Sequence, residues 1–397
     1  MLVHCSMFNC HLSFRTPSFP MKRRKTLTFI AGLLVALLSV SAVQIDRLRS
    51  HVTLLADASL AGRRSGQPGA VKAAQYVFDQ LQQVGFDVRM QEFSNNRRNV
   101  VARYGSADRH ILIGAHYDGQ AGMPSASDNA AGVAMLIELG RDLRAMNLPV
   151  SLVLIAFDDE EQGLQGSGFY VENPIFPLEQ ISAAIVFDTM GRSFIDLKET
   201  TLFVLGTEYS TALAGVISKY NRPATLVAGA DLIGPRSDFA PFAAHQVPFI
   251  FFSHATHKDY HGAGDRPELL DYSKLTQDST MIERIIVDIA RLREKPVYLD
   301  KPVYPAKEVD TLLKVMQAAR SEKPDLPMAY RMVFDDMEQR VKTDRSRATL
   351  NVAASALLAL ATPRLSPFLL QLIVIPAYQK DGKTEIARAL LEEAQKF

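Results

Sequence analysis

The sequence lacks several features that would assign it at once to a broad class of protein. Only two of its 397 residues are cysteine, Cys5 and Cys10. Both precede a segment that we expect to be removed, so the mature chain needs neither disulfide bonds nor a reducing compartment. The formal net charge is only +1, which gives no electrostatic reason to expect nucleic acid as a partner. With 47% hydrophobic residues the chain can bury a large core.

A short pattern near the N-terminus predicts an export signal. Basic residues 22–25 precede an apolar run at 27–38, and Val40, Ser41 and Ala42 form a small-residue cleavage site. The pattern begins at Met21, which is the expected true start, and residues 1–42 are the expected signal region. The predicted localisation is therefore secreted or periplasmic. The alternative is an uncleaved anchor, the one case in which we expect contact with a membrane.

Hydrophobic periodicity predicts an α/β protein with a mixed central β-sheet flanked by helices. The first three strands are expected to form a meander. Expected strands are residues 87–93, 99–104, 110–115, 150–157, 182–187, 201–205 and 247–252, and expected helices are residues 45–58, 70–84, 130–146, 210–220 and 272–293.

A proline-rich stretch at residues 295–307, which repeats the letters KPVY, predicts a linker after a first domain at 43–294. Beyond it, residues 308–397 are expected to form a helical C-terminal appendage. A membrane hairpin within this region is the less favoured alternative, because neither of its apolar pieces reaches the span of a bilayer. The appendage could cover a site, mediate assembly or bind a partner, and the oligomeric state is left open.

Polar residues follow the strand predicted at 110–115. His116 and Asp118 lie two residues apart on one side of an extended chain. Asp118 can therefore accept a hydrogen bond from the ring of His116 and fix its tautomer, as carboxylates behind metal-binding histidines do. Asp128 adds a carboxylate from a second segment. The carboxyl edge of an open α/β sheet is where such folds build their sites.

Further candidate ligands follow other strands. Residues 158–161 are four acids in a row after a buried strand, and Asp188 follows the next strand. Acids that lie close together repel one another, at a cost that grows with burial, so a divalent cation is the expected counterion. His254, His257 and His261 lie in one later segment and are rival nitrogen ligands.

Each of these residues has a structural explanation as well. His116 could be a hydrogen-bonded strand histidine, Asp128 could be the N-cap of the following helix, and the acidic run could be a solvated loop. Taken one residue at a time these explanations are favoured, but the metal site is favoured when the candidates occur together in the five sequence blocks that follow.

Five ordered blocks carry a resemblance to a known family. They are LAGRRSGQPG, GAHYD with SDNAAG, EEQGLQGS, FDTMG and YHGAGD. Over about residues 54–293 the chain resembles peptidase family M28, the co-catalytic di-zinc aminopeptidases that share the fold of leucyl aminopeptidases from Streptomyces and Aeromonas. The resemblance implies a zinc exopeptidase (phosphorylase/hydrolase-like) fold.

The resemblance also implies a ligand set for two Zn²⁺ ions. His116 would bind one ion with Glu161, while Asp188 and His261 would bind the other. Asp128 would bridge both ions. His261 is preferred to its rivals because it stands in the YHGAGD block, although Gly262 replaces the threonine usual in the family. Imidazole and carboxylate ligands without thiolates agree with catalytic zinc.

The resemblance implies catalytic roles for four residues. Glu160 would be the general base acting on a metal-bound water, and Asp118 the carboxylate behind His116. Tyr260 could hydrogen-bond the tetrahedral oxyanion. Arg236 matches a block near the substrate, although Phe239 stands where the family has histidine. A surface ion pair with Asp238 is the alternative for Arg236.

The implied function is that of a zinc-dependent exopeptidase, an aminopeptidase that removes N-terminal residues from peptides. Alternatives with the same fold are a glutaminyl cyclase, which uses one zinc and no hydrolytic water, and a carboxypeptidase. A non-enzymatic binding domain on the same scaffold is a further alternative. Loss of a ligand or of the base would mark such a domain, and none is lost.

Overall fold

The computed structural model describes residues 44–198, 201–220, 222–223, 225–362 and 366–396. Residues 45–397 form one compact unit. The predicted signal region at residues 1–42 lies outside the described residues, so the export prediction stays a prediction. Among the helices that the structure describes, none is both long and apolar enough to cross a membrane.

A single eight-stranded mixed sheet forms the centre of this unit, with the strand order β1-β2-β4-β3-β5-β8-β6-β7. The strands are β1 (Asp87–Ser94), β2 (Arg97–Tyr104), β3 (His110–His116), β4 (Ser151–Phe157), β5 (Ile181–Phe187), β6 (Leu202–Leu205), β7 (Thr225–Ala228) and β8 (Phe249–Ser253). Strands β3, β4, β5 and β8 are buried along their whole length. Continuous apolar runs of this kind suit strands that are covered on both faces. The α/β class and the mixed sheet are confirmed.

The expected meander of the first three strands is wrong. β2 pairs with β4 in antiparallel orientation, and β4 lies between β2 and β3. β3 and β4 are parallel, and a helix between them in sequence makes the crossover that a parallel pair requires. Both strands are mainly apolar and are buried along their whole length, so they suit central positions better than a position near the edge.

Helices cover both faces of the sheet. They are α1 (44–55), α2 (Pro68–Val84), α3 (Ala131–Arg144), α4 (Gln165–Glu172), α5 (Thr211–Ile217), α6 (Phe239–Ala244), α7 (Tyr272–Ala290), α8 (Glu308–Glu322), α9 (Met328–Thr343), α10 (Arg347–Ala361), α11 (Ser366–Leu369), α12 (Ile375–Lys380) and α13 (Thr384–Ala394). Helices α1, α2, α3, α5 and α7 pack in a first hydrophobic core on one face. Helices α4 and α6 and the C-terminal helices α8–α13 pack in a second core on the other face.

The C-terminal helices therefore share a core with the sheet. The proline-rich stretch that precedes them lies along the loop after β6. Leu299 N–H donates to Tyr209 O at 2.8 Å, and the ring of Tyr298 stacks on Tyr209 with 5.0 Å between centroids. Residues 295–307 separate two regions in the sequence, but the helices beyond them cover the second face of the sheet.

Candidate metal centre

The candidate ligands converge at one edge of the sheet because β3, β4, β5 and β8 are all parallel. His116 is the last residue of β3, and Asp188 directly follows β5. Glu160 and Glu161 follow β4, and His261 lies in the loop after β8. Carboxyl ends of parallel strands meet at the same edge, where open α/β sheets bind their ligands.

A first group of side chains surrounds His116. The Nε2 atom of His116 lies 3.2 Å from Asp128 Oδ1 and 3.3 Å from Asp188 Oδ1. A potential ligand oxygen of Glu160 lies within 4.8 Å of those of His116 and Asp188. His116 itself is completely buried, so its ring is held in a fixed position among carboxylates.

A second group of side chains surrounds His261 and shares Asp128 with the first. His261 Nε2 lies 2.9 Å from Asp128 Oδ2 and 3.1 Å from Glu161 Oε2. Two ligands at zinc-binding distance in a tetrahedral shell lie about 3.3 Å apart. The distances in both groups are close to this value, and Asp128 presents one oxygen to each group.

The structure groups the ligands differently from the predicted pairing. The resemblance implied that His116 shares a metal with Glu161, and Asp188 with His261. Instead His116 lies with Asp188 and Glu160, and His261 lies with Glu161 and Asp128. Strands β3 and β5 are direct neighbours, which places the side chains at their ends together.

Orphaned polar atoms show that the residues fit a metal. Among the described residues, the buried atoms Asp128 Oδ2, Glu161 Oε1 and His261 Nε2 have no hydrogen-bond partner. His261 Nε2 and Asp128 Oδ2 are close, but they are not aligned as a donor and an acceptor. Buried polar atoms are nearly always satisfied, and each of these three residues has a potential ligand atom within 4.8 Å of those of the other two. Nitrogen and carboxylate oxygen are the ligands of catalytic zinc.

The electrostatics of the centre also favour cations. Burial opposes the charge on His261, yet the adjacent carboxylates of Asp128 and Glu161 raise its pKa to about 10. Burial and the charge of Asp128 raise the pKa of Glu161 to about 7, against the influence of His261. Carboxylates outnumber the two imidazoles, so the centre attracts positive charge, and a divalent ion can replace the protons.

Asp118 contacts His116 in the first group and the turn that carries Glu160 and Glu161. His116 Nδ1 lies 3.2 Å from the backbone O of Asp118 and 3.4 Å from its Oδ1. The carboxylate of Asp118 also accepts hydrogen bonds from the backbone N–H groups of Glu160 at 3.1 Å and Glu161 at 3.3 Å. Asp118 therefore orients the ring of His116 and the acidic turn at once, a role typical of carboxylates behind metal ligands.

Asp128 is not the N-cap of the following helix. Helix α3 begins at Ala131 and has no side-chain hydrogen bond at its N-cap residue. Asn129 Oδ1 accepts from Gly132 N–H at 3.1 Å instead. The peptide bond between Asp128 and Asn129 is cis. Since Asn129 and not Asp128 makes the contact with the first turn of α3, Asp128 is available to the site, and the capping alternative is wrong.

The rival histidines are engaged elsewhere. His254 Nε2 lies 3.0 Å from Asp278 Oδ2, and its Nδ1 accepts from Gly191 N–H at 2.6 Å. His257 Nε2 lies 2.8 Å from Ser127 Oγ. Burial lowers the pKa of each ring to about 4. Of the three candidates, the structure places His261 beside Asp128.

Tyr260 and Arg236 have different surroundings. The ring of Tyr260 stacks on His261 with 3.8 Å between centroids. Burial, followed by the charges of nearby carboxylates that include Asp128, raises the pKa of Tyr260 well above its usual value, so the phenol keeps its proton. Arg236 is half-buried. It does not pair with Asp238, both of whose oxygens lack a hydrogen-bond partner among the described residues.

Two further acids in the centre were missed at the level of sequence. Asp238 is completely buried, and burial raises its pKa to about 7 even though the charge of His116 opposes this. Asp265 accepts hydrogen bonds from the backbone N–H groups of Ser127 and Asp128. Asp265 stands in the YHGAGD block with His261, and Asp238 follows Arg236 by two residues. The sequence motifs that contain these two acids could therefore have identified them as candidate site residues.

The fold is similar to that of zinc exopeptidases of the α/β class. The zinc aminopeptidase BSAP from Bacillus subtilis has a similar structure, with a TM-score of 0.55 at 14% identity over 64% of this chain and 98% of that one. A glutaminyl cyclase from Porphyromonas gingivalis superposes with a TM-score of 0.51 at 19% identity over 61% of this chain and 97% of its own. At such identities the likeness concerns the fold alone.

The sequence comparison identifies the family. Residues 99–285 match the model of peptidase family M28, and this part of the chain is a domain of that family. Aminopeptidase YwaD of Bacillus subtilis (strain 168) is 25% identical over 202 residues, which cover 48% of this chain and 43% of the relative. The match therefore spans less than half of that relative's length.

Proposed function

We propose that this protein is a di-zinc aminopeptidase that hydrolyses the N-terminal residue from peptides. One observation carries the proposal. The carboxylate of Asp128 lies between two imidazoles, with Oδ1 at 3.2 Å from His116 and Oδ2 at 2.9 Å from His261. A carboxylate in this position suits a bridge between two metal ions.

The grouping of the side chains assigns the ligands. His116 and Asp188 would hold one zinc ion, Glu161 and His261 the other, and Asp128 both. When bound, a pair of zinc ions polarises the scissile carbonyl and lowers the pKa of water. This pairing replaces the one that the resemblance implied.

Glu160 has the position and surroundings of a general base. Burial raises its pKa well above the usual value, and the charges of Asp188 and Asp238 contribute in the same direction, although His116 opposes them. A carboxylate with a raised pKa takes a proton from water more readily. Glu160 would pass this proton to the leaving amine. Tyr260, which remains protonated, would donate a hydrogen bond to the developing oxyanion.

The surplus of carboxylates supports specificity for a free N-terminus. Asp188 and Glu160 belong to the first group of side chains and Glu161 to the second, so a substrate bound at the proposed ions would lie among these acids. Their charges favour an ammonium or amine group and disfavour a C-terminal carboxylate. This argues for an aminopeptidase rather than a carboxypeptidase.

The glutaminyl cyclase alternative rests on the fold. The complete set of candidates for two ions, including His116, favours hydrolysis over single-zinc cyclisation. The two activities differ in their products: a peptide with N-terminal glutamine would yield free glutamine by hydrolysis and a pyroglutamyl peptide by cyclisation.

Export is part of the proposal. The signal-like pattern at residues 21–42 supports a secreted or periplasmic enzyme whose mature chain begins after Ala42. N-terminal sequencing of the protein from its culture medium or periplasm tests this step. A mature chain that retains residues 21–42 would contradict it.

A panel of aminoacyl p-nitroanilides tests the activity. We expect hydrolysis of free aminoacyl substrates, loss of activity after chelation and recovery with Zn²⁺. The matched N-acetyl substrates should lose most of their transition-state binding, since the cap removes the charge and adds bulk. Equal rates for capped and free substrates, or activity that survives complete removal of metal, would contradict the proposal.

A further inference from the structure

One of the five sequence blocks contributes no proposed ligand or catalytic residue. This block, LAGRRSGQPG at residues 60–69, leads from α1 into α2. Within it Arg63 is completely buried. A guanidinium carries five N–H donors and a charge, and burying both is costly unless they are compensated. The contacts of Arg63 therefore indicate the role of the block.

Arg63 forms hydrogen bonds to both ends of one loop of the metal centre. This connecting loop, residues 117–125, runs from the end of β3 towards the proposed bridging ligand. Arg63 Nε donates to Tyr117 O at 2.9 Å, where the loop begins. Its two Nη atoms donate to Pro124 O at 3.0 Å and to Ser125 O at 2.8 Å, where the loop ends. One side chain thus holds the two ends of the connecting loop.

The charge of Arg63 makes this arrangement specific. A further hydrogen bond runs to Leu55 O at the end of α1, so the partners of the guanidinium are backbone carbonyl groups. Burial lowers the pKa of Arg63 to about 10, although nearby carboxylates, first among them Asp118, oppose this. The guanidinium is therefore charged at neutral pH. Because a buried charge without partners is costly, Arg63 favours the loop conformation that supplies these carbonyl groups.

The same block also packs closely against the middle of the connecting loop. Gly62 has a φ of 82°, and a Cβ atom at this position would lie 2.0 Å from Gln120 O. Glycine suits both this backbone angle and this close approach. Gly122 N–H donates to Ala61 O at 2.9 Å. The backbone around Gln120 is therefore fixed against residues 61–63.

The side chain of Gln120 contacts a proposed zinc ligand. Gln120 Nε2 donates to Glu161 Oε2 at 2.6 Å. An ionised carboxylate only accepts hydrogen bonds, so the amide nitrogen of Gln120 and not its oxygen faces Glu161. Hydrogen bonds to a charged acceptor are stronger than those between neutral groups. Gln120 is half-buried, which shields this contact from competition with water.

The contact restricts the carboxylate of Glu161. Its Oε2 also lies 3.1 Å from His261 Nε2, and its Oε1 is buried without a hydrogen-bond partner among the described residues. The backbone N–H of Glu161 donates to Asp118 at 3.3 Å. The backbone and the carboxylate of Glu161 are thus each held by a hydrogen bond, and the carboxylate stays beside His261.

We infer that Gln120 is a positioning residue for the zinc ion proposed for Glu161 and His261. Its amide holds the carboxylate of Glu161 in place, and Arg63 fixes the loop that brings the amide there. The inference rests on the two-zinc centre of the proposed function. Partners that orient a metal ligand commonly contribute about 10- to 100-fold to metal affinity. Since Glu161 belongs to the second group alone, Gln120 acts on one of the two ions.

Gln120→Leu tests the inference, because it removes the amide and keeps most of the side-chain volume. Gln75→Leu is the matched control. Gln75 Nε2 makes a similar contact with Asp79 Oδ1, at 2.7 Å, on the exposed side of α2. Competition with a chromophoric chelator, combined with metal analysis, measures the affinity for each of the two zinc ions. Urea unfolding of the chelated proteins measures the stability of the fold without metal.

We expect Gln120→Leu to bind one zinc ion about 10- to 100-fold more weakly and the other as tightly as the wild type does. Its stability after chelation should match that of Gln75→Leu. Arg63→Lys should weaken the same ion, because a compact ammonium replaces a planar fork of five donors. If Arg63→Lys does not fold, Gln120→Leu decides alone. Weaker binding of both ions together with lower stability would show a merely structural role for Gln120 and overturn the inference.

The zinc titration also separates failure of the inference from failure of the function. If the wild type binds two zinc ions but hydrolyses none of the p-nitroanilides, the proposed activity fails and the titration still decides the role of Gln120. If the wild type binds fewer than two ions, the two-zinc centre and the inference are both overturned. Equal affinities for both ions in the wild type and in Gln120→Leu overturn the inference alone.

Discussion

Asp265 holds the backbone of Asp128 through a hydrogen bond from Asp128 N–H to Asp265 Oδ2 at 3.2 Å. Its two oxygens also accept from Ser127 N–H, at 3.0 and 3.1 Å. These contacts join the loop before α3 to the loop after β8. The backbone of the proposed bridging ligand is therefore fixed by a carboxylate from the same loop that carries His261.

Substitution of Asp265 should weaken metal binding. Asp265→Ala removes the acceptor that fixes the Asp128 backbone, and loss of such a supporting partner commonly costs about 10- to 100-fold in metal affinity. Competition with a chromophoric chelator measures this affinity. Asp278→Asn, which alters the partner of His254 instead, is the control. Unchanged zinc affinity in Asp265→Ala would show that Asp128 keeps its position without this support.

Glu160→Gln should retain zinc but lose turnover. The side chain is assigned to proton transfer, and removal of a general base typically lowers the rate by about two to four orders of magnitude. Metal analysis and kinetics on the same sample check both statements. Glu179→Gln, an exposed acid, should behave like the wild type. Loss of zinc from Glu160→Gln would place Glu160 among the ligands.

Asp128→Ala should weaken both metal positions together. Its two oxygens face His116 and His261 separately, so the substitution removes a ligand from each group and leaves two cations without a shared anion. Zinc titration followed by metal analysis measures the number of ions bound. A variant that retains one ion at its original affinity would show that Asp128 belongs to a single group.

Glu208 should make stability depend on pH. Burial raises the pKa of this carboxyl group from 4.5 to about 7, and its Oε2 has no hydrogen-bond partner among the described residues. Between these pH values the folded state binds more protons than the unfolded state. The free energy of unfolding should therefore fall as the pH rises from about 4.5 to 7, by on the order of 2–3 kcal/mol.

Glu208→Gln should remove this part of the pH dependence and should be more stable than the wild type above pH 7. Glutamine keeps an oxygen that can accept from Ala230 N–H, as Glu208 does at 2.6 Å. Urea unfolding at pH 5 and pH 8 measures the effect, with the exposed Glu172→Gln as the control for loss of charge. If Glu208→Gln and the wild type show the same pH dependence of stability, other titratable groups cause that dependence.

The sequence was sufficient to predict the position of a site residue where that position follows from a local pattern. His116 and Asp188 each end a buried apolar strand, and parallel strands bring their carboxyl ends to one edge. The ligand pairing was not predictable in this way, because it depends on strand order. β3 lies next to β5 and β4 lies on its other side, an order set by how the whole sheet buries its apolar faces.

Other features lacked a local signal. β7 spans only Thr225–Ala228, too few residues for alternation to show. Asp238 is a polar residue in a short loop segment, and its burial results from the packing of distant segments. The cover that α8–α13 provide for the second core also depends on tertiary contacts, since their amphipathic patterns do not specify which surface they meet.

The strand order has a consequence for how the chain folds. β6 and β7 join the rest of the sheet only through β8, which is made after both of them and inserts between β5 and β6. These pairings connect residues far apart in sequence, which makes them slow to form. The loop after β8 carries His261, so the closing of the sheet also delivers the last proposed metal ligand. A partly synthesised chain therefore lacks part of the proposed ligand set, and the proposed activity requires the closed sheet.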